Sequence, residues 1–534
     1  MFNISLKYFL FILFTAVLVT FQSCNSEEDI QKEIKIRLSK QLEDNIKGNT
    51  NTYNLRASES VIGFYEKTNF EPLWINDSAL NKNGVELLTL LKNAKQYGLW
   101  PTYYQVSNIE KFALDSLFQA ELLLSNGFYL FTTHLNSGLL DKTKDTIIFN
   151  DLKNELNFNH SDLLTRIKNG DSLVEVVLSV QPQEWEYQQL QKGLSHYVSS
   201  YTLDTISTLI PSIKKDSAKC YNAAKQALIH NGFLNENQSS DDSIFIEQLK
   251  AFQLLNGLKD DAVVGKWTGR MLAKSNLDRF YQAALSLEKW RWKSYDTIPE
   301  RYVWVNLPAY TLKLYDKRQL VRQHRVVVGA YGTQTPEFQS KMKRLVTNPF
   351  WYVPYSISST EILRGIKKDS TYLKRRGYKL FRDGAEVNSK NVNWTEVGET
   401  NFRYNVRQNG GGGNSLGRVK FLFPNKHAVY IHDTPSKSLF WNDVRAYSHG
   451  CVRLHEPNLL AQAILNIDEN KVEGDSISGM MKRGVKKIIE LNTPIDVYIE
   501  YYTATGDSLG QIKFYPDMYG RDKEYISILK KNAK

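Results

Sequence analysis

YSHGCVRLHEP, residues 447–457, places Cys451 between two histidines, with Gly450 directly before it and Arg453 two residues after it. The chain has only three cysteines in 534 residues, so a thiol in this setting is unusual. Pro457 opens the amphipathic pattern of the next segment, which puts the cysteine at the start of an element and not within a packed stripe. The stretch therefore indicates either a reactive thiol or a metal site.

A histidine upstream favours the reactive thiol. His432 ends the alternating strand HAVYIHD, and the loop that follows is long enough to bring this strand end beside Cys451. A thiol with an ordinary pKa of about 8.5 is mostly protonated at neutral pH. In this interpretation His432 removes the proton while Arg445 and Arg453 lower the pKa of the thiol, which gives a thiolate nucleophile. Asp433 or a local backbone carbonyl would orient the imidazole ring.

Further residues have predicted roles around the nucleophile. The N–H groups of Gly450 and Cys451 are candidates for an oxyanion hole, to which His449 could also donate. The guanidinium groups of Arg445 and Arg453 suit a substrate carboxylate.

A glycine-rich loop, NGGGGNSLG at 409–417, is the next candidate for ligand contact. Four consecutive glycines cannot build a core, so they indicate a flexible lid or a close approach of backbone to ligand. We include Asn414 of this loop, together with Ser448, among the predicted substrate-binding residues.

Two other interpretations of the site stay open. His432, His449, Cys451 and His455 could form a zinc site, but the spacing is poor for structural zinc and no paired C-x2-C is present. A binding-only protein with an inactive site is the second alternative. Our prediction is a cysteine enzyme without metal or cofactor.

Composition limits the class of protein. The length predicts two to four domains, and a hydrophobic fraction of 42% with 12% aromatic residues is ample for packed interiors. The net charge of +11 is spread along the chain, without an arginine-rich tract or zinc-knuckle spacing. We therefore expect no nucleic-acid partner, and a basic protein facing an anionic cell wall fits the charge.

The N-terminus predicts export. Residues 1–24, MFNISLKYFLFILFTAVLVTFQSC, have Lys7 followed by an apolar run at 8–21 that is short for a transmembrane helix and typical of a signal peptide. A small residue directly before Cys24 resembles a bacterial lipoprotein signal, whose cleavage would leave Cys24 carrying the lipid. A plain signal peptide or an N-terminal anchor is the alternative. We expect a membrane-anchored lipoprotein of the cell envelope, or periplasm.

Hydrophobic periodicity divides the rest of the chain. We predict a multidomain α+β protein composed of a signal peptide (1–24), a linker (25–60), a helical domain (61–215), a three-helix module (217–275), a β-rich domain (300–505) with a helix-prone basic insertion (355–400), and a C-terminal extension (506–534).

The three-helix module resembles the small peptidoglycan-binding module. The shared pattern, FQxxxGLxxDxxVGxxT, includes Phe252, Gln253, Gly257, Leu258, Asp261, Val264, Gly265 and Thr268. Ala262 stands where that family usually has glycine. Such modules are sometimes only structural, so wall binding by this one stays open.

The β-rich domain resembles the L,D-transpeptidase catalytic domain. His432, the run SHGC at 448–451 and Arg453 match its signature, and NPFWYVP (348–354), LGRVKFLFPN (416–425) and HDTPSKSLF (432–440) extend the match. FYEKTNFEPLWI (64–75) looks like the scaffold domain of the large subfamily, which also carries a peptidoglycan-binding module and a capping insertion. Many members have asparagine where Arg453 stands here, although arginine is common in that subfamily.

The resemblance implies a reaction on peptidoglycan stem peptides. The Cys451 thiolate would attack the L,D bond between meso-diaminopimelate, or the equivalent dibasic residue, and the terminal D-alanine of a tetrapeptide. The resulting thioester would pass to the side-chain amine of another stem and make a 3→3 crosslink, or it would pass to water, a free D-amino acid or a protein amine. Members are characteristically acylated by carbapenems. The insertion at 355–400 would cap the substrate, and Trp351 and Tyr352 would line the cleft.

Overall fold

The computed structural model describes residues 32–40, 42, 55–142, 147–149, 159–292 and 299–533. The predicted signal peptide with Cys24 and most of the predicted linker lie outside the described residues. The chain divides into two compact units. One comprises Met1–Ser200, Leu287–Ser294 and Tyr525–Lys534, and the other comprises Tyr201–Ser286 and Tyr295–Glu524.

The first unit is helical and is built around one buried helix. Its helices are α1 (Ser58–Lys67), α2 (Lys82–Lys92), α3 (Val106–Asp115), α4 (Leu117–Ser137), α5 (His160–Lys168), α6 (Leu173–Leu178) and α7 (Trp185–Ser200), with a short hairpin of β1 (Leu140–Lys142) and β2 (Ile147–Phe149). Every residue of α4 from Ala120 to Leu135 is buried, its polar residues included, so α4 is the central helix of this unit. The helices predicted for this region are confirmed.

A buried carboxylate ties the FYEKTNFEPLWI segment to α4. Glu121 accepts hydrogen bonds from the N–H groups of Leu73 (2.6 Å) and Trp74 (2.9 Å), and the Tyr65 hydroxyl donates to it at 2.6 Å. Burial raises the pKa of Glu121 to about 7, against the effect of these donors. Among the described residues no helix, α4 included, has the length and apolarity needed to cross a membrane.

The second unit begins with the predicted three helices. They are α8 (Ser217–His230), α9 (Asp242–Leu255) and α10 (Lys266–Leu272), followed by α11 (Asn276–Arg291), whose last turn belongs to the first unit. Asp241 caps the N-terminus of α9 by accepting from the N–H groups of Ser243 and Ile244. Gln253 closes the turn before α10 by donating to the Val263 carbonyl at 3.0 Å. Ala262, in the glycine position, has a φ of 57°.

The β-rich domain is one large sheet. Its strands are β3 (Tyr302–Asn306), β4 (Thr311–Asp316), β5 (Gln319–Gly329), β6 (Phe338–Thr347), β11 (Val419–Leu422), β12 (Ile431–His432), β13 (Ala446–Ser448), β14 (Val452–Leu454) and β15 (Lys487–Glu500). The order is β13-β5-β14-β12-β11-β6-β15-β3-β4, and β4 also pairs with β5, so the sheet closes on itself. A tight turn at Lys317 and Arg318 joins β4 to β5. Helices α15 (Pro457–Ile467) and α16 (Gly474–Arg483) pack on the same core.

The insertion is a small mixed α/β body with its own core. It contains β7 (Trp351–Tyr352), α12 (Tyr355–Ile357), α13 (Leu363–Lys368), α14 (Tyr372–Arg375), β8 (Tyr378–Arg382), β9 (Ala385–Val387) and β10 (Asn405–Gln408), with the four strands in the order β7-β10-β8-β9. The expectation of a helical insertion holds only for its first part. YKLFR alternates apolar and polar residues, which is the strand period, and Leu380 and Val406 are buried together with Phe402.

The C-terminal residues continue the fold. A hairpin of β16 (Ala504–Gly506) and β17 (Ile512–Phe514) is followed by helix α17 (Asp522–Asn532). Ile512, Phe514 and Leu529 are buried, so much of the predicted extension is packed.

Candidate active site

Two neighbouring strands bring the predicted nucleophile and base together. β12 and β14 are parallel, with Ile431 opposite Val452 and His432 opposite Arg453. Ile431 and Val452 are fully buried in the core of the sheet. Side chains alternate along a strand and paired residues share a face. His432 and Arg453 therefore project from the opposite face, as do the preceding Tyr430 and Cys451.

The Cys451 sulfur lies in a half-buried position among polar groups of the neighbouring strand. Its Sγ is 3.8 Å from the Ala428 carbonyl, to which the thiol donates. The backbone N–H and the hydroxyl of Tyr430 both bond to the sulfur and favour its ionised form, as do the charges of Arg453 and Lys420. Burial nevertheless outweighs them and raises the pKa of the Cys451 thiol.

The His432 imidazole is held in one orientation. Its Nδ1 lies 2.5 Å from the Asp433 carbonyl, which can only accept, so Nδ1 carries the proton and Nε2 is left as the acceptor. The ring also packs against Tyr430, with centroids 5.5 Å apart. Burial, reinforced by the charge of Arg453, lowers the pKa of His432 to about 3. The sequence left two orienting groups open, and the structure places the carbonyl there.

These pKa shifts correct one expectation. The sequence predicted a thiolate already formed beside a basic imidazole, whereas burial raises the pKa of Cys451 and lowers that of His432. Both shifts oppose charge separation, because a thiolate and an imidazolium would each lose hydration on this partly buried face of the sheet. These shifts favour a neutral thiol and a neutral imidazole in the resting site.

The loop before the nucleophile is fixed by Ser448. The Ser448 hydroxyl donates to the Cys451 carbonyl (2.5 Å) and accepts from the Gly450 N–H (3.1 Å). Thr335 donates to the Gly450 carbonyl at 2.8 Å. Gly450 has a φ of 112°, which only glycine adopts without strain. The Gly450 N–H predicted for the oxyanion hole is thus already bonded, while the Cys451 N–H has no partner among the described residues.

His449 connects the catalytic loop to the insertion. Its Nε2 is 2.6 Å from the carboxylate of Glu361, and both side chains are about half exposed. The ring is therefore engaged by an acid of the insertion in this structure, and an oxyanion role would require it to turn away.

Two other predicted site residues hold the backbone. The Asp433 carboxylate accepts from the N–H groups of Arg418 (2.8 Å) and Thr434 (2.7 Å) and pairs with Lys437 at 2.5 Å. Asn414 is 2% exposed. Its amide donates to the backbone carbonyls of Pro349, Gln408 and Asn409, and its oxygen accepts from the Leu416 N–H at 2.7 Å. The side chain of Asn414 is occupied by the glycine-rich loop itself, contrary to the predicted contact with substrate.

Arg445 also lies away from the thiol. Its guanidinium faces the carbonyls of Ala309, Phe440 and Asn442 at 3.4–3.5 Å and sits 4.9 Å from the ring centroid of Tyr310. Burial lowers its pKa to about 10. The arginine expected to hold a substrate carboxylate is therefore directed at backbone oxygens.

The side chains of Trp351 and Tyr352 point in opposite directions, because adjacent residues of a strand face opposite sides of the sheet. Trp351 packs on the core of the insertion and bonds with the Tyr430 side chain. Tyr352 is 69% exposed. Of this predicted pair, Trp351 is the one that reaches the group bonded to the nucleophile.

Tyr430 and Lys420 were missed by the sequence reasoning. Lys420 pairs with His432 across β11 and β12 and therefore shares its face. The signal was present in the alternation of VKFLF and VYIH, where the polar residues mark the face opposite the core. Reading that face would have identified both residues.

The residues considered for zinc do not converge. His449 bonds to Glu361, and the ring of His455 packs against Phe440 and Trp441. In the described parts of the chain, no group of three or more histidine, cysteine, aspartate or glutamate side chains is arranged to hold a metal ion.

Comparison with protein families identifies both domains. A model of the L,D-transpeptidase catalytic domain matches residues 300–470, and a model of the Scaffold domain matches residues 59–194. Residues 300–470 are therefore an L,D-transpeptidase catalytic domain, and residues 59–194 are a Scaffold domain. The catalytic model covers every strand of the large sheet except β15, together with the insertion and the Cys451 loop. The α+β fold class predicted from the sequence is confirmed.

Individual relatives agree with this assignment. A curated Haemophilus influenzae protein, provisionally named an L,D-transpeptidase, is 32% identical over 223 residues, which are 42% of this chain and 45% of that protein. The match thus spans less than half of the length of the relative.

Two solved structures are also similar. An L,D-transpeptidase from Mycobacterium smegmatis is 12% identical with a TM-score of 0.18, over 38% of this chain and 58% of that one. The Ldtfm-avibactam carbamoyl enzyme is 11% identical with a TM-score of 0.19, over 41% and 61% of the chains. At these TM-scores neither structure adds to the assignment.

Proposed function

We propose that this L,D-transpeptidase crosslinks peptidoglycan through a thioester on Cys451. The donor is a tetrapeptide stem, cleaved at the L,D bond between its dibasic residue and the terminal D-alanine. The observation that carries the proposal is the common face of β12 and β14, on which Tyr430, His432, Cys451 and Arg453 lie together.

Acylation begins from the neutral pair. As Sγ of Cys451 attacks the carbonyl carbon, the thiol proton passes to Nε2 of His432, so that charge develops only with bond formation. The Asp433 carbonyl holds the Nδ1 proton of the resulting imidazolium. The developing oxyanion is placed to accept from the Cys451 N–H and, after rotation, from the Tyr430 hydroxyl.

The intermediate then collapses and the acyl group is transferred. The His432 imidazolium gives its proton to the amine of the departing D-alanine, which leaves a thioester and a neutral imidazole. An acceptor side-chain amine attacks the thioester carbonyl, His432 takes a proton from that amine, and the proton returns to the leaving sulfur. The products are a 3→3 crosslink and the original thiol.

Substitution of the nucleophile tests the proposal. We expect Cys451→Ser to lose crosslinking and D-alanine release, and to lose the covalent mass increase that a carbapenem gives on the wild type. The unfolding midpoint should stay near the wild-type value, because oxygen replaces sulfur at a half-buried position. Mass spectrometry of muropeptides and of the intact protein measures both effects, and normal turnover by the variant would refute the assignment.

The same experiment identifies the acyl acceptor. Tripeptide stems without crosslinks would indicate transfer to water, and stems carrying a new terminal residue would indicate exchange with a free D-amino acid. A protein that folds but gives neither product nor carbapenem adduct would be a wall anchor with an inactive site.

We also propose that the chain is exported and tethered to a membrane by a lipid on Cys24. The signal-like composition of residues 1–24 supports this, and Cys24 lies outside the described residues. In this arrangement the enzyme acts in the cell envelope, where the module at 217–275 would have access to the wall.

A further inference from the structure

A group of cations beside the nucleophile lacks acidic partners. Lys420 and Arg453 are half-buried and Lys486 is exposed. The side chain of each forms no ion pair or hydrogen bond with another described residue. Two acids of the neighbouring strands have other partners. The Asp433 carboxylate, at the end of β12, is bonded to Lys437 and to backbone N–H groups, and Glu490 of β15 pairs with Arg344 at 3.4 Å.

The three charges follow the sheet away from Cys451. Arg453 is on β14 and Lys420 on β11, with β12 between them, so their backbones are about 10 Å apart. The charge of Lys486, just before β15, acts on Lys420. We call Arg453, Lys420 and Lys486 the cationic stripe.

The lysines of the cationic stripe lie against aromatic rings. The Lys420 ammonium is 5.7 Å from the centroid of Tyr430, and the Lys486 ammonium is 4.2 Å from that of Phe350. The Arg407 guanidinium of the insertion also lies against the Phe350 ring, 5.1 Å from its centroid. The Arg407 Nε is buried without a hydrogen-bond partner among the described residues. Ring contacts position these cations but satisfy none of their donors.

We propose that the cationic stripe is a carboxylate subsite, in which Arg453 takes the terminal carboxylate of the donor stem and Lys420, with Lys486, takes the carboxylate at the far end of the diaminopimelate side chain. This inference rests on the proposed function. The donor carries these two carboxylates on either side of the reacting carbonyl, and Cys451 lies next to Arg453 at one end of the stripe.

The chemistry of burial supports a ligand here. Burial, reinforced by the charge of Lys486, lowers the pKa of Lys420, so its ammonium is costly to hold without an anion. A structural role would be expected to provide a carboxylate partner, as Asp433 provides for Lys437. An anionic substrate would remove this cost only when bound, and thereby select acidic stems over amidated ones.

The test compares donors whose diaminopimelate side-chain carboxylate is free or amidated. Binding is measured by calorimetry in the Cys451→Ser background, and D-alanine release is measured with the active enzyme. The wild-type site should prefer the free acid by about 10- to 100-fold, the range expected for a hydrogen bond to a charged group. Lys420→Met should abolish this preference, because it weakens the binding of the free-acid donor and leaves that of the amidated donor unchanged. Lys420→Arg should retain most of the preference.

Lys343→Met is the matched control, because Lys343 is an exposed lysine of β6 with no contact to the site. It should keep the full preference. Equal loss with both donors in Lys420→Met, or an unchanged preference, would overturn the subsite. Binding that follows the prediction in the absence of any D-alanine release would keep the subsite and refute the proposed reaction instead.

Discussion

At the scale of single residues, burial decides the state of the catalytic pair. Arg453 and Lys420 favour the Cys451 thiolate, but loss of hydration is the larger effect and raises the pKa of the thiol. The same burial lowers the pKa of His432 to about 3. In the proposed mechanism, Cys451 is therefore a neutral nucleophile and His432 an unprotonated base, and charge develops only as the substrate carbonyl is attacked.

The pH dependence follows from the signs of these shifts. A folded pKa of about 3 keeps His432 unprotonated and competent as a base from about pH 4.5 upward, so kcat/KM should show no acidic limb near pH 6.5. A raised thiol pKa means that alkylation of Cys451 by iodoacetamide should still be accelerating at about pH 9. Stopped assays across this range measure both. An alkylation rate that levels off below about pH 7 would indicate a preformed ion pair.

Tyr430 is the residue for which the structure adds a role. Its hydroxyl bonds to the Cys451 sulfur and favours the thiolate, so Tyr430→Phe should raise the thiol pKa further. It also removes a donor for the oxyanion, for which a loss of about 10²- to 10³-fold in kcat is typical. Kinetics of D-alanine release and the pH profile of alkylation test this.

Tyr498→Phe on β15 provides the control for Tyr430→Phe, since it removes a hydroxyl from the same sheet on a strand remote from β12. Equal kcat values for Tyr430→Phe and the wild type would exclude the tyrosine from the reaction.

At the scale of elements, the site is a product of strand pairing. The parallel register of β12 and β14 puts Ile431 and Val452 into the core together, which forces His432 and Arg453 onto the other face. A shift of one residue would exchange these sets and bury the charged groups. The core thus fixes the register and, with it, the catalytic geometry.

The glycine-rich loop depends on Asn414 for its shape. Asn414→Ala removes donors to the carbonyls of Pro349, Gln408 and Asn409 and leaves buried groups unpaired. We expect the second unit to lose about 2–3 kcal/mol of stability, measured by denaturant unfolding. Below the transition the KM for the donor should be unchanged, because the side chain is buried.

Asn409→Ala is the matched control in the same loop, because the Asn409 side chain is exposed and its loss should have little effect on stability. A stable Asn414→Ala variant with a raised KM would instead indicate that Asn414 contacts the substrate.

At the scale of the whole molecule, the chain combines separate folding units with a proposed tether. The first unit has the buried helix α4 at its centre, and the second has the closed sheet and the separately packed insertion. The catalytic residues that we propose all belong to the second unit.

The tether has its own test. Cys24→Ala should move the protein from the membrane fraction to the soluble fraction, because the acceptor of the lipid is lost, while crosslinking by the purified protein is unchanged. Immunoblots of fractionated cells measure the distribution, with Ser26→Ala as the neighbouring control. Retention of Cys24→Ala in the membrane would show that the apolar run at 8–21 is an uncleaved anchor.

The sequence by itself determined the α+β class, the helical regions, the Cys451 motif and the resemblance to L,D-transpeptidases, because these depend on local periodicity and on residues close together in the chain. Only the tertiary structure decided which residues face the thiol, since strand pairing brings Tyr430 and Lys420 to Cys451 and turns Arg445, Asp433 and Asn414 toward backbone groups. It also decided the charge state of the pair. Hydration lost on burial depends on the whole surrounding fold, and no local pattern of residues contains it.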